Sequence, residues 1–598
     1  MNMGGGRGRG EAIPKDYKFH FSTVRKLLAL AKPYKWLFLL SFLCILVVNG
    51  AEVATPYITE IIIDRHLRLG FFGEGVNSIT FWAIMYFVVS VLGGLGTIFQ
   101  QRLVSRAGQG LLHNMRLTVF SHIQRMTLES LDRYTTGRLV TRVTNDIETL
   151  NEFYSDVLVN LLRDVFLLVF IAGSMLAMDA KLALVSFACL PLIVVTTFSV
   201  RNVMRRNFTR MKALIGEING FFAENMAGMR IVQGFNRQIN KMKEFRDLNQ
   251  RYFKTTMIQV VVQSVLRPVI EVVNALAVAL LLVYGYYRIA GGVLLVGVLY
   301  AFINYMKKFF NPISDLCEFY NTIQSALVSA DRVYELLEDP APLEDLEKGS
   351  HGGPVVGKVE FRNVWFAYIG EEWVLKDVSF TVNLGENVAF VGPTGAGKST
   401  IINLISRFYI PQKGQILVDD VPLEDWKLGD LRRGIAVVLQ DVVLFSGDIS
   451  DNIRVNQKDM TDEEIWEALR YAMADDFVSG LQDGIHSTVT ERGSTFSTGE
   501  RQLLSFARAI AHKPSILVLD EATANIDSQT EALIQQSIEN ISEGRTAIFI
   551  AHRLSTIRNC DRIYVIDDKH IAESGTHDEL MALKGLYYAL HEVQFEEA

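Results

Sequence analysis

Val388-Ala389-Phe390-Val391-Gly392-Pro393-Thr394-Gly395-Ala396-Gly397-Lys398-Ser399-Thr400 passes from four apolar residues through a glycine-rich bend into a helical pattern. The pattern predicts a buried strand, a loop and a helix in immediate succession. Gly392, Gly395 and Gly397 let backbone N–H groups wrap a row of phosphates, and the positive end of the following helix strengthens the field there. Lys398 reaches the β- and γ-phosphates, Ser399 can ligate Mg²⁺, and Thr394 and Thr400 complete the binding loop. A chance glycine-rich turn would lack both flanking elements and would have no second motif to match it.

Ile516-Leu517-Val518-Leu519-Asp520-Glu521 is that second motif. Four apolar residues fit a strand buried in a parallel sheet, and ligands of such sheets sit beyond the strands' C-terminal ends. Asp520 is placed to hold the Mg²⁺ shell. Glu521, one residue on and facing the other way, can polarise an attacking water. Adjacent acids after a strand mean little alone; beside a phosphate loop they mean ATP hydrolysis.

Further β-rich runs at 547–550 and 563–566 alternate with helical patterns, which is the α/β signature of a largely parallel sheet. Upstream, residues 331–354 turn acidic and contain Pro and Gly, so they read as a linker into an α/β domain over 355–598.

Residues 20–330 are of another kind. Six stretches, near 36–62, 80–99, 154–178, 182–200, 257–287 and 289–306, are apolar enough to cross a bilayer, for which about 20 residues are needed as helix. The connections alternate between very short and about fifty residues, and the long ones read as amphipathic helix. Arg25, Lys26, Lys32 and Lys35 precede the first stretch. Arg102, Arg106, Arg116 and Arg125 lie in one long connection, and Arg201, Arg205, Arg206, Arg210 and Lys212 in the other. Positive charge marks the cytoplasmic side, which puts the N-terminus and both long connections there. Six crossings then return the chain to the side where ATP is. Glu52, Arg163, Asp164, Arg267 and Glu271 fall inside the apolar stretches and should face a cavity or a partner. The carboxylates could attract cations, or an arginine could pair with one of them and fix helix packing.

The chain has 598 residues, too many for one core, and its 49% hydrophobic content is concentrated in the first half. A net charge of −7 gives no reason to expect a nucleic-acid partner. The four cysteines are far apart, without metal-ligand spacing, and read as reduced. Residues 1–19, Gly/Arg-rich at their start, read as a flexible tail without a cleavable signal peptide. The expected fold is therefore an α-helical membrane domain with six transmembrane helices, fused to an α/β P-loop ATP-binding cassette domain.

From about Val355 onward the chain resembles the nucleotide-binding domain of ABC transporters. The resemblance implies that Tyr368 stacks on adenine and that Gln440, in Val437-Val438-Leu439-Gln440-Asp441, senses Mg²⁺ and faces the membrane domain. It further implies that Asp527 is the D-loop aspartate and that His552, in Ala551-His552-Arg553, contacts the γ-phosphate. Thr490-Glu491-Arg492-Gly493 looks like the loop that exporters use against their intracellular helices. The first half resembles the exporter-type membrane domain of the same family. Tyr134-Thr135-Thr136-Gly137-Arg138 with Asn145-Asp146 looks like the first coupling helix and its continuation, and 224–235 like the corresponding stretch in the second long connection. The cofactors implied are ATP and Mg²⁺.

One motif departs from the family. Where the family has Leu-Ser-Gly-Gly-Gln, this chain has Phe496-Ser497-Thr498-Gly499-Glu500. Ser497 and Gly499 are kept, but Thr498 puts a branched side chain, and Glu500 a negative charge, where a partner's ATP would be clamped. The D-loop is altered as well, reading Ala524-Asn525-Ile526-Asp527. The chain's own Lys398, Glu521 and His552 are intact, so a heterodimer with a second half-transporter would confine the poor clamp to one site. A homodimer that tolerates the change is the other arrangement. Export of small amphipathic molecules, cations among them, is the expected activity in a cell membrane; a lipid flippase and an ATP-gated channel are the competing readings.

Overall fold

Backbone in hydrocarbon must satisfy its own hydrogen bonds, so the described apolar stretches of the first half are helical, broken by short turns. The structure, a computed structural model, describes residues 25, 27, 30–67, 79–339, 343–455, 457, 459–490, 493–520, 528–550 and 557–595. It divides into two units: Met1–Gln124 with Thr135–Pro340, and Arg125–Tyr134 with Ala341–Ala598.

In the first unit the principal helices are α1 (Lys35–Ile61), α2 (Ile79–Arg125) and, skipping the short α3 described below, α4 (Leu158–Met178). They continue with α5 (Ala180–Phe187), α6 (Leu190–Ala227), α7 (Met229–Gly234), α8 (Gln238–Ala290) and α9 (Val296–Leu337). Among the described residues, four helical stretches are long and apolar enough to cross a membrane: Lys32–Leu67, Ile79–Arg125, Thr136–Met178 and Pro268–Ala290. The apolar stretch at 182–200 is divided, since α5 ends in a turn at 188–189 and α6 restarts with Pro191 in its first turn. Proline has no N–H to give the preceding turn and is best placed at a helix start. The stretch expected from 289 begins as helix only at Val296, after the turn made by Gly291 and Gly292. The 47 residues of α2 reach about 70 Å as helix, far beyond a hydrocarbon core.

Several polar residues of this unit tie its helices together. Arg163 Nε lies 3.8 Å from Asp164 Oδ1, and Asp164 is buried. Asn49 donates to the Arg163 carbonyl at 2.9 Å, Lys308 to the Glu52 carbonyl at 2.8 Å, and the Tyr305 hydroxyl to the Val53 carbonyl at 2.7 Å. These contacts join α1 to α4 and α9. Of the carboxylates expected to attract cations, Asp164 sits beside an arginine, as the packing alternative requires, while Glu271 is exposed on α8. The Arg267 side chain lies outside the described residues. Asp179 accepts from Leu182 N–H, capping α5, and pairs with Arg288 at 2.9 Å, which brings the two short connections together. Asp64 accepts from Gly297 N–H at 2.7 Å in the first turn of α9, where a side chain on Gly297 would meet the carboxylate at 2.6 Å. Favourable interaction with the helix dipole accounts for a buried acid there.

A buried ion cluster adds a further tie to α9. Arg142 Nη1 lies 2.9 Å from Asp146 Oδ2, Ser329 Oγ donates to Asp146 Oδ1 at 2.8 Å, and Arg332 Nη1 stands 3.6 Å from the same oxygen. Arg142 and Asp146 are both buried. Asp146 thereby locks the end of the first long connection onto the last third of α9.

The second unit contains a six-stranded sheet in the order β12-β11-β3-β10-β9-β6. Its strands are β3 (Asn387–Val391), β6 (Ile435–Val438), β9 (Ile516–Asp520), β10 (Thr546–Ile550), β11 (Arg562–Asp567) and β12 (His570–Gly575). All pair in parallel except the edge strand β12. Ile516 to Leu519 and the whole of β10 are buried, as expected of strands covered on both faces. A second, antiparallel sheet runs β2-β1-β4-β5, from β1 (Val359–Ala367), β2 (Trp373–Val382), β4 (Lys413–Val418) and β5 (Val421–Pro422). A short ribbon pairs β7 (Gly447–Asp448) with β8 (Thr488–Val489). The short helix α3 (Leu128–Asp132) belongs to this unit, with Leu128 packed against the core of the antiparallel sheet.

Candidate functional site

The phosphate loop stands where the sequence places it. β3 ends at Val391, the loop follows, and helix α10 runs over Lys398–Ile405. Gly392 has φ +152° and a side chain there would meet the Ile566 carbonyl oxygen at 2.3 Å. Gly397, which starts α10, has φ +105°, and its missing side chain would collide with Leu375 at 2.8 Å. Only glycine combines this backbone with this closeness. Lys398 is buried and its ammonium donates to the carbonyls of Gly392 (2.6 Å) and Pro393 (3.2 Å), so the amine is held over the loop. Thr394, Gly395 and Ser399 are exposed on it, and Thr400 is buried behind it.

Sheet register collects the other groups. Phe390 pairs with Ile550, Ile550 with Asp520, and Leu519 with Val438. The phosphate loop, Asp520 and, two residues beyond Val438, Gln440 therefore share the C-terminal edge of the parallel sheet. Ser399, Gln440 and Asp520 offer a hydroxyl, an amide and a carboxylate, the oxygen donors a hard divalent cation takes. Glu521, Asp527 and His552 lie outside the described residues, as do Glu491 and Arg492; the strands leading to Glu521 and His552 are β9 and β10.

Tyr368, just past β1, is half exposed. Its hydroxyl lies 3.2 Å from Thr400 Oγ1 and accepts from Asn403 Nδ2 at 3.0 Å. Its ring meets Phe366 and Tyr409 edge-on, with centroids 4.8 and 5.0 Å away. The ring is thus fixed beside the phosphate loop, with area left for a base to stack on.

Helix α11 (Thr498–Ala511) begins at the altered motif. Ser497 Oγ accepts from Glu500 N–H at 3.2 Å, and Glu500 Oε2 accepts from Ser497 N–H at 2.7 Å, a reciprocal capping box. Arg501 donates to the Phe496 carbonyl at 2.8 Å and to Thr498 Oγ1 at 3.3 Å. The sequence suggested a Glu500 carboxylate projecting toward a phosphate; the structure binds it to its own helix start. Its effect on an anion is then to neutralise the positive end of the helix dipole and occupy a donor a phosphate would use. Replacing Thr498 by Gly and Glu500 by Gln together should raise the ATPase rate at the site this motif serves by about tenfold, since each 1.4 kcal/mol of phosphate clamping is a factor of ten. Steady-state phosphate release measures it, and an unchanged rate would acquit the motif.

Sequence reasoning missed Tyr409, Asn403 and Asp132. Tyr409 is buried, and its hydroxyl donates to Asp132 at the end of α3. An aromatic pair, Phe408-Tyr409, directly after the phosphate-loop helix was the available signal. Just before the coupling-helix resemblance at 134–138 lies α3 at Leu128–Asp132, which groups with the second unit. Thr127, its N-cap, accepts from Ser130 N–H, an ordinary helix start hidden in a long amphipathic stretch.

Comparison with known proteins agrees with this geometry. Residues 38–313 match the family described as ABC transporter transmembrane region, and 375–524 the family described as ABC transporter. A putative ABC transporter ATP-binding protein exp8 of Streptococcus pneumoniae is 36% identical over 96% of this chain and 97% of its own length. The probable multidrug resistance ABC transporter ATP-binding/permease protein YheH of Bacillus subtilis is 38% identical over 92% of this chain and 82% of its own. An ATP-dependent lipid A-core flippase of Syntrophus aciditrophicus is 32% identical over 96% and 94%. Among solved structures, a bacterial Atm1-family ABC exporter with ATP bound superposes with TM-score 0.76 at 26% identity, covering 96% of this chain and 99% of that one.

Proposed function

Because this chain belongs to the ABC transporter family, as an exporter with its membrane region and ATPase on one polypeptide, we propose that it works as one half of a heterodimer that exports small amphipathic molecules. The carrying observation is the altered clamp at the start of α11 beside an intact phosphate loop. Paired with itself, the chain would set a weakened clamp against a sound Lys398 and Glu521 in both ATP sites. Paired with a half-transporter that has the usual motif, it would confine the weak clamp to one ATP-holding site and use Glu521 in the other. The second long connection supports a partner too: Ile231, Phe235 and Ile239, on and beside α7, are about two-thirds to three-quarters exposed, an apolar tip that needs a surface to cover it.

In this reading six helices cross the cell membrane, with the N-terminus and cassette cytoplasmic. Tyr368 stacks on adenine, Lys398 and the loop amides hold the phosphates, Glu521 orients the water, and His552 and Asp527 complete the site. Mg²⁺ held by Ser399, Gln440 and Asp520 would neutralise charge between the β- and γ-phosphates. ATP closes the two cassettes, the membrane helices open outward, and hydrolysis resets them. Exposed Glu271 is the carboxylate best suited to draw cationic substrates. A lipid substrate is the second reading, favoured by Arg163 and Lys308 at membrane depth, which suit a phosphate headgroup.

The test is the ATPase rate of this chain purified alone in lipid against the chain co-expressed with its partner, each with and without Glu521→Gln. Activity confined to the mixed complex and removed by that substitution is expected; full activity of the lone chain would overturn the heterodimer. Dye efflux against movement of a fluorescent phospholipid, each with Glu271→Gln, separates the two substrate readings.

A further inference from the structure

The adenine end of the nucleotide site and the helix that enters this unit from the membrane half are one bonded assembly. The Tyr368 hydroxyl is anchored to Thr400 and Asn403 of α10, and the Asn403 carbonyl accepts from Phe408 N–H at 2.9 Å, at the bend that delivers Tyr409. Tyr409 stands edge-on to Tyr368 and to Phe366, the latter at 5.6 Å, and hydrogen-bonds Asp132, the last residue of α3. Burial and the Asp132 carboxylate both raise the Tyr409 pKa, so its hydroxyl stays protonated and donates. The other end of α3 is held independently, with Leu128 packed against the sheet core and Glu344 N–H bonded to the Arg125 carbonyl at 2.6 Å.

We propose that Tyr409 is a positioning residue that, through Asp132, ties α3 to the Tyr368 platform, so that a base stacked on Tyr368 sets the orientation of α3. This rests on Tyr368 being the adenine platform. A base on one face of Tyr368 limits the tilt of its ring, the edge-on Tyr409 ring is confined with it, and the hydroxyl carries that restraint to the end of α3. The phosphates are read elsewhere, by the loop and Gln440, so this link responds to the base.

The test uses the full dimer in lipid nanodiscs. ATP affinity is measured by displacement of fluorescent trinitrophenyl-ATP, and conversion of the membrane domain by spin-label distances across its external ends as ATP is titrated. In Tyr409→Phe, which keeps the ring, ATP affinity should stay within about twofold while the ATP concentration for half-conversion rises about fivefold or more, the low end of coupling between sites. Asp132→Ala, which removes the acceptor, should do the same, and the double variant should be no worse than either. Unchanged half-conversion in both, a shift that follows affinity, or additive effects would each overturn the link. Tyr368→Ala separates the premise from the proposal: if ATP affinity survives it, the adenine platform is wrong whatever Tyr409 does.

Discussion

Glu521→Gln should lower ATP hydrolysis by about a hundredfold or more while leaving ATP bound, since a positioned general base contributes about 10²–10⁴ to rate. The chain supplies the reason for expecting so much from one atom. β9 is buried from Ile516 to Leu519, so its end cannot drift, and its register with β10 and β3 sets Asp520 level with the phosphate loop. Alternation along an extended chain would turn the side chain after Asp520 away from the metal shell, where a carboxylate can polarise water without competing for the metal. Glutamine keeps the volume and the hydrogen-bonding edge but cannot accept the proton. Single-turnover phosphate release, with nucleotide retention as control, checks it. A loss below tenfold would move the base to another residue.

Asp146→Ala should cost about 3–5 kcal/mol of stability, because it removes a buried carboxylate that pairs with Arg142 and accepts from Ser329. Against a typical total of about 5–15 kcal/mol, that is enough to deplete folded protein. Thermal unfolding in detergent should fall by roughly 10 °C, at about 2–4 °C per kcal/mol for units of this size. Asp146→Asn, which can still accept from Ser329, should fall less. An unaltered midpoint for the alanine variant would show the cluster to be solvated in the membrane-bound protein. Arg332 stands beside the same carboxylate, so Arg332→Ala with Asp146→Ala should cost less than the sum of the two singles.

The parts legible in advance are those whose physics is local. A phosphate loop is consecutive residues making their own backbone geometry, so Gly392 to Thr400 could be read with its strand and helix. The buried strand before Asp520 announces itself by four apolar residues in a row. Membrane helices follow from apolar length, which is additive along the chain. Their ends were less legible: Pro191 divides one stretch and Gly291-Gly292 postpones another, and neither interruption changes mean hydropathy enough to be noticed. What the tertiary structure alone decided is which polar groups satisfy one another. Tyr409 and Asp132 are 277 residues apart, Gly297 and Asp64 233, Ser329 and Asp146 183. No pattern within either segment names its partner, because burial forces the pairing and only packing selects it. Glu500 shows the converse at short range: its charge was plain, but whether it faced a phosphate or its own helix depended on the φ and ψ of Ser497, extended at −63° and 166°, which open the turn for a reciprocal cap.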